Sequence, residues 1–107
     1  MSETLLRIQA LIARGEVEVS RHGFGELAAD VIVLDEVVAG IAAAIVIEDY
    51  PASGKGPSVL VLQSDSSNRP VHVVWGIPRG GSGPAVLVTA YRPDPQRWSA
   101  DFMRRRR

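Results

Sequence analysis

From Ala44 onward the chain is a succession of four β-branched runs, Ala44 to Tyr50, Ser58 to Ser64, Pro70 to Ile77 and Ala85 to Tyr91. The segments between them, Pro51 to Pro57, Asp65 to Arg69 and Pro78 to Pro84, are dense in turn-forming residues. Connections this short join antiparallel neighbours, because a parallel crossover needs about a dozen residues or more. The second half of the chain is therefore expected to be an antiparallel meander.

The first half has a different period. Leu5, Leu6, Ile8, Leu11 and Ile12 follow Ser2-Glu3 at helical spacing, and Gly15 is a reasonable stop. Val17 and Val19 alternate with Glu16, Glu18 and Ser20 as a short extended stretch leading to the polar turn Ser20-Arg21-His22-Gly23. Phe24 to Asp30 and Leu34 to Ala42 suggest two further short helices, the second with Asp35 near its positive N-terminal end. After Pro93-Asp94-Pro95, Gln96 to Met103 is expected to form a last short helix with Trp98 and Phe102 on one side. The fold class is α+β: N-terminal helices packed on one face of a roughly four-stranded, mainly antiparallel sheet, with a short C-terminal helix.

At 107 residues and 46% hydrophobic, the chain fits a single domain, 1–107. It has no cysteine, so disulfides, thiolate catalysis and cysteine zinc sites are excluded. No apolar run reaches the roughly 18–20 residues of a membrane-spanning helix, and Met1-Ser2-Glu3-Thr4 lacks the basic start of a secretory signal. A cytoplasmic protein with no membrane association is the expectation.

The net charge of zero conceals an asymmetry. Residues 1–50 carry nine acids against three arginines, and residues 51–107 carry nine bases against Asp65, Asp94 and Asp101. The second half can thus present a basic face, unless Arg104 to Arg107 (residues 103–107 being a basic tail) are only a solvated end.

Strand alternation divides the later runs into two sets. Leu60, Leu62, Val71, Val73, Trp75, Val86, Val88 and Ala90 form an apolar set expected under the helices. Val59, Val61, Gln63, His72, Val74, Leu87, Thr89 and Tyr91 form a mixed set on the open face. His72, Thr89 and Tyr91 then share a face, with Arg92 just past the strand end. An imidazole, a hydroxyl, a phenol and a guanidinium on one surface suit phosphate recognition and proton transfer. His22 and His72 are the only histidines, and imidazole is the side chain that titrates unperturbed near neutral pH. Fifty residues separate them, so no close-spaced metal-ligand motif exists, and neither a metal nor a cofactor is implied.

Val19-Ser20-Arg21-His22, Glu48-Asp49-Tyr50-Pro51, Gly56-Pro57-Ser58, Arg69-Pro70-Val71-His72-Val73-Val74-Trp75 and Thr89-Ala90-Tyr91-Arg92-Pro93-Asp94, with Trp98, occur in that order. Together they resemble the small bacterial proteins grouped as domain of unknown function 4258, over about residues 16–102. That family is similar to the RelE-like and barnase-like ribonuclease toxins. The resemblance implies the toxin half of a bacterial toxin–antitoxin pair, acting as a metal-independent ribonuclease on RNA, with an antitoxin protein as partner, in some cases a small zinc-finger protein. By motif position it implies His22 and His72 as catalytic residues and Arg21, Thr89, Tyr91 and Arg92 as substrate-binding ones. The stretch Phe24 to Ala29 departs from the pattern by lacking basic residues. The alternative is a non-catalytic module that binds protein or RNA, since a fold alone does not fix function. The glycine-rich segments Gly54-Lys55-Gly56 and Gly80 to Gly83 read as hairpin connections rather than phosphate loops.

Overall fold

A computed structural model describes residues 2–107. Helix α1 (Glu3–Ala13) is capped by Ser2, whose hydroxyl accepts from the Leu5 N–H at 3.0 Å. Its buried stripe is Leu5, Ile8, Leu11 and Ile12, and Gly15 at φ +76° turns the chain out of the helix. Strand β1 (Val17–Val19) leads directly into α2 (Arg21–Ala29). A short α3 (Leu34–Ala39) tightens into a 3-10 turn over Gly40–Ala43. Four strands complete the sheet: β2 (Ile45–Tyr50), β3 (Ser58–Ser64), β4 (Pro70–Gly76) and β5 (Ala85–Tyr91).

The α+β class holds, but the sheet has five strands and is mixed, in the order β1-β5-β4-β3-β2. The meander from β2 to β5 is antiparallel throughout, whereas β1 adds to the outer edge of β5 in parallel, Val17 opposite Ala85 and Val19 opposite Leu87. Three residues of alternation are too few to mark a strand by themselves. It is the partner, brought in from the far end of the chain, that makes Val17–Val19 one.

Helix α2 starts at Arg21 rather than Phe24, because Ser20 caps it by accepting the Gly23 N–H at 2.9 Å. Gly23 is required by close approach: a Cβ there would lie 2.8 Å from both the side chain and the backbone oxygen of Leu87. This helix runs beside β5 where β1 has ended. The Glu26 carboxylate accepts the Ala90 N–H at 3.2 Å and Asp30 accepts the Arg92 N–H at 2.8 Å, so acidic side chains replace a neighbouring strand.

The register corrects the division of faces. Val59 pairs with Trp75, Val61 with Val73 and Gln63 with Val71, and these six lie on the helix-covered face. Leu60 and Leu62 instead share the other face with Val74 and His72. Alternation sets parity within one strand but not its phase against the next. On β5 a bulge between the Val74 and Trp75 pairings places both Leu87 and Ala90 in the core and leaves Val88 on the open face. His72 remains opposite Tyr91, and Val74 opposite Thr89, so His72, Thr89 and Tyr91 do share one face.

Residues 92–107 contain no helix. Asp94 starts a turn by accepting from the Arg97 and Trp98 N–H groups, each through its backbone oxygen, and the chain then doubles back with Trp98 paired antiparallel to Arg105. Asp101 at the tip binds the Ser99 hydroxyl at 2.6 Å and the Met103 N–H at 3.1 Å. Spacing of Trp98 and Phe102 at i and i+4 mimics a helix, but the side-chain bonds of Ser99 and Asp101 compete for the backbone and favour the turn.

Candidate functional site: a covered histidine beside an arginine-lined cleft

The C-terminal hairpin lies across the open face of the sheet and encloses His72, which is 0% exposed. Three contacts fix the ring. Its Nε2 is 2.8 Å from the Phe102 carbonyl oxygen, its Nδ1 is 3.1 Å from the Tyr91 hydroxyl, and the Trp98 ring stands edge-on at 4.4 Å between centroids. A carbonyl only accepts, so Nε2 carries the hydrogen. Burial is the main cause that holds the His72 pKa below the ordinary histidine value, opposed by the Phe102 carbonyl and assisted by the Arg105 charge. In the neutral ring Nδ1 is then a bare acceptor, and the Tyr91 O–H donates to it. Burial likewise raises the pKa of the Tyr91 phenol, so it stays protonated.

Phe102 takes φ +61°, in the left-handed region that a non-glycine residue occupies at a cost of about 1–3 kcal/mol. That conformation accompanies the presentation of its carbonyl to His72. Leu60 and Trp98 are both buried outside the cluster under the helices. Arg105 holds the hairpin from above, its guanidinium 4.9 Å from the centroid of Trp98 and 2.9 Å from Glu48 on β2. The Arg105 hydrogen bond keeps the Glu48 carboxyl below the usual range.

Tyr91 also forms one wall of an open cleft of about 680 Å³. Around it stand Arg92, Arg97, Arg105, Arg106 and Arg107, with Asp94 as the one acidic side chain. With Arg105 held by Glu48 and Arg92 by Asp65, the guanidinium groups of Arg97, Arg106 and Arg107 carry the cleft's excess positive charge, which suits an anionic ligand with several acceptor oxygens. Arg92 is already engaged: it bridges to Asp65 at 2.9 Å and to the Pro70 carbonyl at 3.3 Å. Asp65, with only 7% of its side chain exposed, also accepts the Ser67 and Arg69 N–H groups at 2.9 Å each.

His22 is placed elsewhere. It lies in the first turn of α2, its side chain 69% exposed and its Nε2 3.1 Å from Glu26. Since Glu26 also holds the Ala90 N–H, this pair is fixed to the flank of β5. The two imidazoles thus share no hydrogen-bond partner, and Tyr91, Phe102 and Trp98 rather than His22 surround His72. Arg21 is exposed at the start of α2, and Thr89 is half-buried beside the bulge. Sequence reasoning singled out Trp98 but not its place over His72, and it missed the Phe102 carbonyl and Arg105 as a clamp. A backbone carbonyl leaves no trace in side-chain identity.

The family model for a domain of unknown function, DUF4258, matches residues 19–92, more than half of the chain. The chain belongs to this family. No curated protein and no solved structure matches it. The DUF4258 region takes in Arg21, His22, His72, Thr89, Tyr91 and Arg92. It ends at Arg92, just before the hairpin that covers His72.

Among the described residues no helix is long and apolar enough to cross a membrane.

Proposed function

We propose that the protein is a metal-independent ribonuclease, the toxin of a bacterial toxin–antitoxin pair, working in the cytoplasm with a RelE-like or barnase-like arrangement of helices and sheet. The observation that carries this reading is the juxtaposition of the arginine-lined cleft with Tyr91 and, directly behind it, the neutral His72. Guanidinium groups bind the phosphodiester and neutralise charge building on it. Proton removal from a ribose 2′-hydroxyl on the His72 side and proton uptake from solvent by the leaving 5′-oxygen are the two acid–base steps, with His22, Arg21 and Thr89 as further contacts to the strand outside the cleft. Such help is worth on the order of a hundred- to ten-thousand-fold.

The test is cleavage of a labelled single-stranded RNA by the purified chain in excess chelator, with an all-deoxy strand beside it. RNA cut and DNA spared is the expected result, and intact RNA under all conditions overturns the reading. In a bacterial host, expression should arrest growth, relieved by the neighbouring small antitoxin protein.

A second reading is favoured by one observation: His72 is wholly covered and both its nitrogens are engaged. A non-catalytic module would bind RNA or a protein through the arginine cleft without breaking a bond. It would give retention of RNA, or partner-relieved arrest, with no fragments.

A further inference from the structure

We infer that the group meeting the RNA 2′-hydroxyl is the phenol of Tyr91, with His72 behind it as the proton acceptor and the Phe102 carbonyl completing a three-member relay. This rests on the ribonuclease reading and assigns the roles within it. His72 has no exposed surface, so a substrate oxygen cannot reach either ring nitrogen while the hairpin is in place. Tyr91, in contrast, is only partly buried and lines the arginine cleft. The order of donors is fixed by chemistry: the carbonyl accepts from Nε2 at 2.8 Å, which leaves Nδ1 to accept from the phenol at 3.1 Å. A hydroxyl, an imidazole and an acceptor in line is the same logic by which a nucleophile and its base are oriented by a third group.

The step balances as follows. The 2′-oxygen attacks phosphorus and its proton passes to the Tyr91 oxygen, while the phenolic proton of Tyr91 passes to Nδ1 of His72. The bond from phosphorus to the 5′-oxygen breaks, its electron pair stays on that oxygen, and a solvent water in the open cleft supplies the proton and becomes hydroxide. The products are a 2′,3′-cyclic phosphate and a 5′-hydroxyl. That hydroxide then takes up the proton held at His72, through Tyr91, which returns both side chains to their starting states. The imidazolium formed at His72 is stabilised by the Phe102 carbonyl and opposed by Arg105, which Glu48 partly neutralises. Tyr50 on β2 and Glu26 on α2 are the remaining titratable groups that bear on Tyr91 or Arg105. Tyr91 is the catalytic residue in this scheme and His72 a positioning residue that accepts its proton.

Two measurements on the full chain test the relay. Nitrogen-15 spectra of the imidazoles should report His72 at pH 7 as the Nε2–H tautomer, with an Nδ1 shift that moves in Tyr91→Phe. In cleavage, Tyr91→Phe should lose about 100-fold or more in kcat while binding a 2′-O-methyl RNA within about twofold of wild type. His72→Gln should lose the acid limb of the pH–rate profile, which in the wild type lies below the ordinary histidine range. An Nδ1–H tautomer, or wild-type cleavage by Tyr91→Phe, overturns the relay alone. No cleavage by the wild-type chain overturns the ribonuclease reading and the relay with it.

Discussion

The indole N–H of Trp75 donates to the Gln63 side-chain oxygen at 3.0 Å, across the β3–β4 pair and beneath the helices. The amide nitrogen of Gln63 in turn donates to the Val37 carbonyl at 2.7 Å, so one buried side chain ties the sheet to α3. Gln63→Leu leaves the indole N–H and a carbonyl without partners, each costing about 1–3 kcal/mol. We expect a loss of roughly 3 kcal/mol by urea unfolding, and a smaller loss than the sum of the singles when Trp75→Phe is added. Strict additivity would refute the coupling.

Asp65 lies in the turn that joins the same two strands. Its carboxyl pKa is lowered chiefly by the Arg69 N–H and further by Arg92. A carboxyl depressed in the fold binds fewer protons than in the unfolded chain, so it contributes stability above the ordinary aspartate value of 3.8, lost as pH falls through the lower folded value. Asp65→Asn should therefore flatten the acid end of the stability curve below about pH 4. An unchanged slope would assign that end to Glu36, Glu48 and Asp101, whose carboxyls are also held low.

His72 acts in the same sense one range higher. Its lowered pKa means that the unfolded chain takes up a proton first as pH drops, so stability falls from about 6.5 down to the folded value. Replacing His72 by Gln should remove that limb from a series of melting curves taken between pH 7 and 5.

The difference in exposure gives a chemical readout. Diethyl pyrocarbonate should modify His22 in the native protein and spare His72. Trp98→Ala, which opens the cover and costs about 3–5 kcal/mol for a buried large side chain, should make His72 reactive while the far-ultraviolet spectrum keeps its form. Equal reactivity of both histidines in the wild type would contradict the closed geometry.

Gly56 adopts φ +117°, and a Cβ there would fall 2.0 Å from the Ile77 carbonyl oxygen. Gly56→Ala should cost well over about 1 kcal/mol, visible as a lowered melting temperature. An alanine tolerated without loss would mean that the β2–β3 connection can shift away from β4.

Most of the fold was legible because its signals are local. Ser2, Gly15 and the α1 stripe, and the meander with β3 and β5 bounded as observed, follow from spacing and turn chemistry. What was illegible depends on long-range pairing: the strand status of Val17–Val19, the phase of β3 against β4, and the bulge that buries Leu87. The site divides in the same way. The shared face of His72, Thr89 and Tyr91 was readable from alternation, whereas the Phe102 carbonyl and the Arg105–Glu48 clamp come from a hairpin whose spacing imitates a helix.

The parallel seating of β1 on β5 has a kinetic side. Val17 leaves the ribosome well before Ala85, yet neither completes its pairing without the other. The β3–β4–β5 meander closes through short loops, whereas the β1 contact closes a loop spanning most of the chain, an entropic cost that defers it. The C-terminal hairpin can settle only after β4 and β5 are side by side. His72 should accordingly be among the last groups to lose contact with water during folding, and pulsed hydrogen exchange should find the β3–β4 amides protected earlier than those of β1.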